Sequence, residues 1–255
     1  MFDAPALAID PDVVLIRSLP DGGEAVRVAV NSLVIKGSEP ILVDTGAATG
    51  RDGWWEQVER TVDPGDVRWI FLSHDDIDHY GNLVEALERC PNATLVASWH
   101  LGQRLAAYTQ LPIERMRWVN DGESFMAGDR ELVALRPPAY DSPTTRGLFD
   151  RTSGVYWASD CFGTAVPHAV DEVSELDRDV WEDGFSLYQR RLSPWATEID
   201  VMRWRAAIGR VAALGPLVIA SAHGPLARRT DVARSLDLLA DLPGMPEAPA
   251  EPSRR

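Results

Sequence analysis

Two histidines and three aspartates, the types of side chain that bind metal ions, lie within six consecutive residues of the segment "FLSHDDIDHYGN", and four of them have a spacing that suits a metal site. They are His74, Asp76, Asp78 and His79, and they follow a short apolar run. Alternate residues of an extended segment point the same way, so His74, Asp76 and Asp78 can converge, and His79 extends the cluster. Asp-rich turns also form without any ligand. The segment by itself is therefore compatible with a solvated turn or with a metal-binding loop.

Two further candidate ligands follow distant apolar segments. "YWASDCFG" leads into Asp160, and "PLVIASAHG" leads into His223. Loops at strand ends are where a rigid scaffold usually presents functional residues, so these partners favour the metal-binding loop over the solvated turn. Four ligands on one short loop would crowd a single ion, and two neighbouring ions that share ligands from elsewhere fit the sequence better. Cys161 follows Asp160, but strand alternation predicts that its side chain points away.

Hydrophobic periodicity predicts the elements that must position these residues. Val- and Ile-rich segments separated by turn residues open the chain and predict antiparallel hairpins. Apolar runs before His74 and His223 predict buried strands, and five helices are predicted, at residues 53–62, 81–90, 101–109, 198–214 and 228–240. Strands followed by helices, twice over, predict two sheets packed face to face in one domain, residues 1–242. Residues 243–255, rich in proline and charge, are predicted to form a flexible tail.

The composition limits the possible partners. The 255 residues carry a formal net charge of −14, which disfavours binding to nucleic acids and to anionic membranes. The N-terminal segment lacks the basic and apolar regions of a signal peptide, and no apolar run is long enough to span a membrane. Two cysteines are too few for a disulfide framework. We therefore expect a cytoplasmic protein with reduced thiols.

The pattern His-x-acid-x-Asp-His after a strand, a later strand-terminal Asp and a final His-Gly resemble the metallo-β-lactamase superfamily. "NSLVIKGSEPILVDTG", "CPNATLVAS" and "SDCFG" are similar to segments of its oxygen-reactive diiron branch, the flavodiiron proteins. Asp76 stands where most hydrolases have histidine. The resemblance implies an α+β fold, the metallo-β-lactamase-type αββα sandwich with two mixed β-sheets covered by helices. The chain has no room for the flavodoxin module of flavodiiron proteins.

The same resemblance implies two metal positions with one shared carboxylate. The ligands it assigns are His74 and Asp76 for the first position, Asp78, His79 and His223 for the second, and Asp160 as the bridge. The superfamily usually supplies one more histidine to the first position, and no histidine lies between residues 101 and 159. Asp141 is the best-matching residue and could bind as a carboxylate. Tyr140 in its place, or a vacant first position, are the alternatives.

The ligand types bear on the identity of the metal. Imidazoles and carboxylates without a thiolate suit Fe, Mn or Zn. Carboxylates at Asp76 and Asp141 make the first position harder and more anionic, so we expect two ions, with iron favoured and zinc or manganese possible.

Two functions of different classes follow. The first is a diiron oxidoreductase or oxygenase, or a protein that binds O2 or NO, with Asp78 and Asp160 as the catalytic residues and a separate electron-donor protein as a possible partner. The alternative is a two-metal hydrolase of lactones, thioesters or phosphodiesters, in which Asp78 would orient an activated water. A non-catalytic binding protein with a decayed first position is a third hypothesis. The sequence leaves the small-molecule substrate open, and a homodimer is possible.

Overall fold

The first of two β-sheets contains the segment that leads to His74. A computed structural model describes residues 5–18 and 28–244 of the chain. Seven strands follow one another across this sheet in chain order: β1 (Leu7–Asp10), β2 (Val13–Ser18), β3 (Val30–Ile35), β4 (Ile41–Val43), β5 (Trp69–Phe71), β6 (Thr94–Ala97) and β7 (Met116–Trp118). Strands β1 to β4 pair antiparallel, as predicted for the opening hairpins, and β4 to β7 pair parallel.

The second sheet brings the other two strand-end ligands together. Its six strands are β8 (Ser124–Ala127), β9 (Arg130–Leu135), β10 (Gly147–Asp150), β11 (Val155–Trp157), β12 (Val218–Ala220) and β13 (Ala227–Arg228). They lie in the order β13-β12-β11-β10-β9-β8. Strands β11 and β12 are parallel neighbours. Because parallel strands end at the same edge of a sheet, residues that follow β11 and β12 emerge side by side.

The helices cover the outer faces of both sheets. They are α1 (Arg51–Thr61), α2 (Ile77–Tyr80), α3 (Leu83–Arg89), α4 (Trp99–Leu105), α5 (Arg178–Leu192), α6 (Val201–Ala213) and α7 (Thr230–Asp241). Trp55, Val58 and Leu101 of α1 and α4 pack with Leu42 and Ile70 of the first sheet. A separate apolar cluster joins α5, α6 and α7 to the second sheet.

A third apolar cluster fills the space between the sheets. Phe71 and Val96 of the first sheet pack there with Leu132, Leu148 and Trp157 of the second. The predicted αββα sandwich, with two mixed sheets covered by helices, is therefore confirmed. None of the helices in residues 5–18 and 28–244 is long and apolar enough to cross a membrane.

Two differences from the sequence prediction concern helices. Helix α5 was not predicted, although Trp181, Phe185 and Leu192 recur at helical spacing, because charged residues and Gly184 interrupt the pattern. Helix α4 begins at Trp99 rather than 101, because the side chain of Ser98 accepts a hydrogen bond from Leu101 N at 3.2 Å and caps it. Of the predicted tail, Pro243 and Gly244 end a 3-10 turn (Leu242–Gly244), and residues 245–255 lie outside the described residues.

The two cysteines are buried thiols, which leads to a first prediction. Cys90 and Cys161 are fully buried, and burial raises their pKa values to about 11 and about 12. Since the thiolate is the reactive form, we expect neither cysteine of the native protein to react with a disulfide reagent at about pH 8. After unfolding in guanidinium chloride, the reagent should modify two thiols per chain. Rapid modification of either thiol in the folded protein would contradict this placement.

Candidate metal centre

The motif loop begins where β5 ends and turns directly into α2. His74 is completely buried, whereas Asp76 is exposed and occupies the N-cap position of α2. An Asp at this position usually caps the helix with its side chain, but Asp76 makes no such bond. Its Oδ2 instead lies 3.7 Å from His74 Nε2. The side chains of the loop are thus directed towards a common point rather than towards the backbone.

Strands β11 and β12 deliver Asp160 and His223 to the same edge. Ser159 has a φ of 55°, in the left-handed region, and this turn separates the end of β11 from Asp160. The backbone of Ala222 donates to Ser159 O at 2.9 Å, which ties the two strand ends together. Asp160 and His223 are both buried, and the Nε2 of His223 lies 3.3 Å from Asp160 Oδ1.

All seven candidate ligands come together, in two groups that share Asp160. Asp160 Oδ2 lies 3.5 Å from His74 Nε2, while Asp160 Oδ1 lies 2.9 Å from His79 Nε2. The ligand atoms of three trios lie within 4.8 Å of one another: His74, Asp76 and Asp141; Asp78, His79 and His223; and His74, His79 and Asp160. Two ligand atoms about 2.0–2.2 Å from one ion lie about 3.0–3.5 Å apart, so these spacings fit bound ions.

Each histidine presents Nε2 to the centre and holds Nδ1 against a polar partner. His79 Nδ1 lies 2.9 Å from Asp44 Oδ2, and His223 Nδ1 lies 2.7 Å from the carbonyl oxygen of Ala29. His74 Nδ1 lies 3.1 Å from the hydroxyls of Ser73 and Ser159. Partners at the second ring nitrogen fix the orientation of metal-binding histidines, and all three imidazoles have this arrangement.

Asp44 is a site residue that sequence reasoning missed. Its carboxylate is completely buried and accepts hydrogen bonds from Ser73 N at 2.7 Å, Ser73 Oγ at 2.7 Å and Trp157 Nε1 at 3.0 Å, besides its contact with His79. Its φ of 58° is left-handed, which Asp tolerates better than most residues. An Asp directly after the buried strand of "ILVDTG" is the signal that could have identified it.

Unpaired buried atoms test whether the site fits a metal. Of the thirteen buried side-chain nitrogen and oxygen atoms that make no hydrogen bond in the described residues, three belong to this cluster: His74 Nε2, His79 Nε2 and Asp160 Oδ1. Buried polar atoms are nearly always paired, and these three belong to side chains whose ligand atoms lie within 4.8 Å of one another. Two imidazoles and a carboxylate are donor types that divalent iron, manganese and zinc accept. The residues present therefore fit a metal centre.

The charges of the cluster are strongly coupled. Burial would raise the pKa of Asp160, but the imidazoles of His79, His74 and His223 reverse that effect and hold it well below the usual value. Burial likewise lowers the pKa of His79, but the carboxylates of Asp160 and Asp44 hold it well above the usual value. Asp160 is consequently a carboxylate, the form in which both of its oxygens can bind metal.

The first position contains Asp141 rather than a further histidine. Asp141 shares a group with His74 and Asp76, and partial desolvation of its carboxyl group together with the Asp160 carboxylate raises its pKa. Tyr140, the alternative from the sequence, instead packs its ring against Trp195, with the ring centroids 5.0 Å apart. The geometry thus brings Asp141, and not Tyr140, together with the other candidate ligands.

Tyr188 of α5 is a second residue that the sequence prediction missed. Its ring centroid lies 5.6 Å from that of His223. Burial, with the carboxylates of Asp160, Asp78 and Asp141, raises its pKa well above the usual value. A Cβ on Gly163 would lie 2.5 Å from Tyr188 Cε1, so glycine at 163 admits the ring. Tyr188 is a protonated phenol beside the site.

An open cleft gives access to the site. Its lining includes Asp76 and Asp78, one candidate ligand from each metal position. The other lining residues are Asp75, Ile77, Tyr80, Arg104 and Tyr108. The cleft therefore borders the candidate site on the α2 side.

The chain is similar to one part of several longer diflavin flavoproteins. Over 200 residues it is 28% identical to a putative diflavin flavoprotein A 1 of Thermosynechococcus vestitus, covering 78% of this chain and 34% of the relative. It is 26% identical to diflavin flavoprotein A 1 of Synechocystis sp., covering 87% of this chain and 39% of the relative. The chain thus spans about a third of the length of these curated relatives.

Solved structures share the fold. The flavodiiron protein from Giardia intestinalis matches with a TM-score of 0.82 at 16% identity, over 94% of this chain and 59% of that one. A fragment, residues 1–254, of a putative diflavin flavoprotein A 5 from Nostoc sp. matches with a TM-score of 0.78 at 21% identity, over 95% of this chain and 96% of that one. The family model described as ODP family beta lactamase matches residues 28–224. The chain is therefore a member of the ODP family, a metallo-β-lactamase-like domain related to the flavodiiron proteins.

Proposed function

We propose that this chain binds two iron ions and acts as an oxidoreductase on O2 or NO. One observation carries the proposal: seven ligand-type side chains converge as two groups that share Asp160, and carboxylates occupy positions 76 and 141. Four carboxylates and three imidazoles, without a thiolate, form a hard donor set that suits iron. The flavodiiron and diflavin names of the relatives support the same function.

The residues of the chain have separable tasks in this proposal. Two ferrous ions, when bound, would supply the electrons that reduce O2 or NO. Asp160 would hold both ions, and the Nδ1 partners keep each Nε2 directed at the centre. Tyr188 keeps its proton at Oη and can donate a hydrogen bond beside the second position, next to His223. The cleft at Asp76 and Asp78 admits the small molecule.

In this proposal a separate electron-donor protein is the source of the electrons. The matched relatives are diflavin flavoproteins, and the chain covers about a third of their length. A reduced protein partner that docks near the centre would therefore supply the electrons that each turnover consumes.

Anaerobic loading with ferrous iron tests the proposal. We expect about two irons per chain, since two groups of ligands are present, and an absorption change when O2 or NO is added. Metal analysis of untagged protein and anaerobic absorption spectroscopy measure the two effects. Iron content near one per chain would contradict the two-ion site.

Stable binding of zinc without any response to O2 or NO would favour a two-metal hydrolase instead. One observation supports that second candidate. Asp78 Oδ2 lies 3.3 Å from His223 Nε2 and also faces the cleft, where a carboxylate could orient a water for attack on a lactone, thioester or phosphodiester. Hydrolysis of such esters by the zinc-loaded protein, abolished in Asp78→Asn, is the matching measurement.

A further inference from the structure

One carboxylate connects the two loops that carry Asp76 and Asp141. The Oδ1 of Asp75 accepts hydrogen bonds from Ser142 Oγ at 2.8 Å and from Thr144 Oγ1 at 2.7 Å. Its Oδ2 accepts from the guanidinium of Arg104 on α4. The Asp75 side chain is only 6% exposed, although Arg104 is half exposed. Three donors from two elements thus converge on a nearly buried side chain.

One of these contacts connects two residues that are each adjacent in the sequence to a candidate metal ligand. Asp75 directly precedes the candidate ligand Asp76, and Ser142 directly follows the candidate ligand Asp141. The hydrogen bond between Asp75 and Ser142 therefore joins residues adjacent to two ligands of the first metal position. Apart from the bonds of Asp75 to Ser142 and Thr144, these two stretches are joined in the described residues by a backbone hydrogen bond from Arg146 N to Ser73 O at 2.9 Å, several residues farther from Asp141.

The first position needs such a connection because its ligands repel one another. The carboxylates of Asp76, Asp141 and Asp160 approach one point, and like charges at this separation push the loops apart. An aspartate side chain is also short, so a small outward shift of the loop would take Asp141 out of reach of an ion. Asp76 and Asp141 are both exposed, so the surrounding core does not hold them.

We propose that Asp75 is a positioning residue that holds the Asp141 loop against the Asp76 loop, so that both carboxylates reach the first metal ion. The proposal rests on the two-metal site proposed above and goes beyond it by naming what assembles the first half. We call Asp75, Ser142 and Thr144 the loop clamp.

The loop clamp is separable from the rest of the fold. On the other side of Asp141, the backbone of Tyr140 donates to Ser193 Oγ at 2.9 Å and accepts from Trp195 Nε1 at 3.1 Å. These bonds anchor the start of the loop to the end of α5 and the turn that follows it, independently of Asp75. After Asp141, the carbonyl oxygen of Pro143 accepts from the guanidinium of Arg136 at 2.9 Å and that of Thr144 accepts from Ser98 Oγ at 3.2 Å. Loss of the clamp should therefore loosen the short segment around Asp141, between these anchors, while the sandwich stays folded.

Ferrous-iron binding by equilibrium dialysis under anaerobic conditions tests the loop clamp. For Asp75→Ala we expect the affinity of one of the two irons to fall by about 10- to 100-fold, the usual effect of removing a partner behind a metal ligand. The other iron should bind as in the wild type. Thr144→Val with Ser142→Ala removes the clamp from the opposite loop and should give the same result, and it decides the matter if Asp75→Ala does not fold.

A matched control and a rescue separate positioning from a general structural effect. Asp129 also accepts hydrogen bonds from a serine, from the backbone N–H and the hydroxyl of Ser38. It precedes β9, whereas Asp141 follows that strand, so Asp129→Ala should leave the affinities for both irons unchanged. Asp141→His in the Asp75→Ala background introduces a longer, uncharged ligand that reaches the ion from a displaced loop. We expect it to restore binding of the iron at the first position.

Three results would overturn the loop clamp. They are wild-type affinity for both irons in the clamp variants, loss of both irons from a folded clamp variant, and failure of Asp141→His to restore binding. A wild-type protein that binds fewer than two irons would instead refute the two-metal site itself, so the two failures are distinguishable.

Discussion

Replacing Asp160 by alanine is expected to abolish the binding of both metal ions, the largest effect that the structure predicts. Asp160 Oδ2 faces His74, and Oδ1 faces His79 and His223, so one truncation removes a ligand from each position. It also removes the one carboxylate that all three imidazoles approach. We expect metal content to fall from about two per chain to nearly none, measured by elemental analysis after dialysis against ferrous iron.

The thermal unfolding temperature gives an independent readout. An ion that binds only the folded state raises this temperature, so ferrous iron should stabilise the wild type but not Asp160→Ala. Asp141→Ala is the matched control. Because Asp141 belongs only to the first position, this variant should lose one bound ion rather than two. Metal content at the wild-type level in a folded Asp160→Ala protein would show that Asp160 is not the bridge.

The second large expected effect is a loss of folding stability, not of metal binding. Arg130 begins β9, and its side chain is only 3% exposed. It donates to Asp150 Oδ2 at 2.6 Å and to Asp12 Oδ2 at 2.7 Å, and thereby joins the second sheet to the β1–β2 turn of the first. Arg130→Met keeps the length of the side chain but leaves the buried Asp150 without its cation. We expect the free energy of unfolding to fall by about 3–5 kcal/mol, measured by urea denaturation of metal-free protein.

Two variants control for this effect. Arg151→Met breaks an exposed pair with Glu131 nearby and should cost no more than about 1 kcal/mol. Arg130→Met with Asp150→Asn removes the buried charge but keeps an acceptor for Ser153 Oγ, so it should recover part of the loss. If Arg130→Met were no more destabilising than Arg151→Met, the buried ion pair would have no special role in stability.

The sequence predicted those parts of the fold and the site that local patterns encode. Asp76, Asp78 and the two histidines of the motif lie in one short segment, and Asp160 and His223 each follow a run of apolar residues, so residue type and strand position together identified them. The opening hairpins and the helices that cover the first sheet followed from alternation and helical spacing. A ligand role for these side chains stays a prediction that metal analysis has to test.

The missed residues depend on contacts between distant segments. Asp44 receives its role from Ser73, His79 and Trp157, none of which is near it in the sequence. Tyr188 reaches the site because α5 passes beside Gly163. The helical spacing within α5 is interrupted by charged residues and Gly184, and the approach of α5 to Gly163 cannot be read from periodicity. The connection between Asp75 and the Asp141 loop is of the same kind.

The division of the candidate ligands between the two sheets has a consequence for the order of assembly. The motif loop belongs to the first sheet, whereas Asp141, Asp160 and His223 belong to the second, and His223 follows its last long crossover. On the proposed ligand set, each ion joins segments separated by much of the chain, and because its site does not exist before these segments meet, its binding free energy adds to the stability of the folded state. The second ion cannot be held until β12 has joined β11. Metal uptake during refolding should therefore be a late event that reports completion of the second sheet.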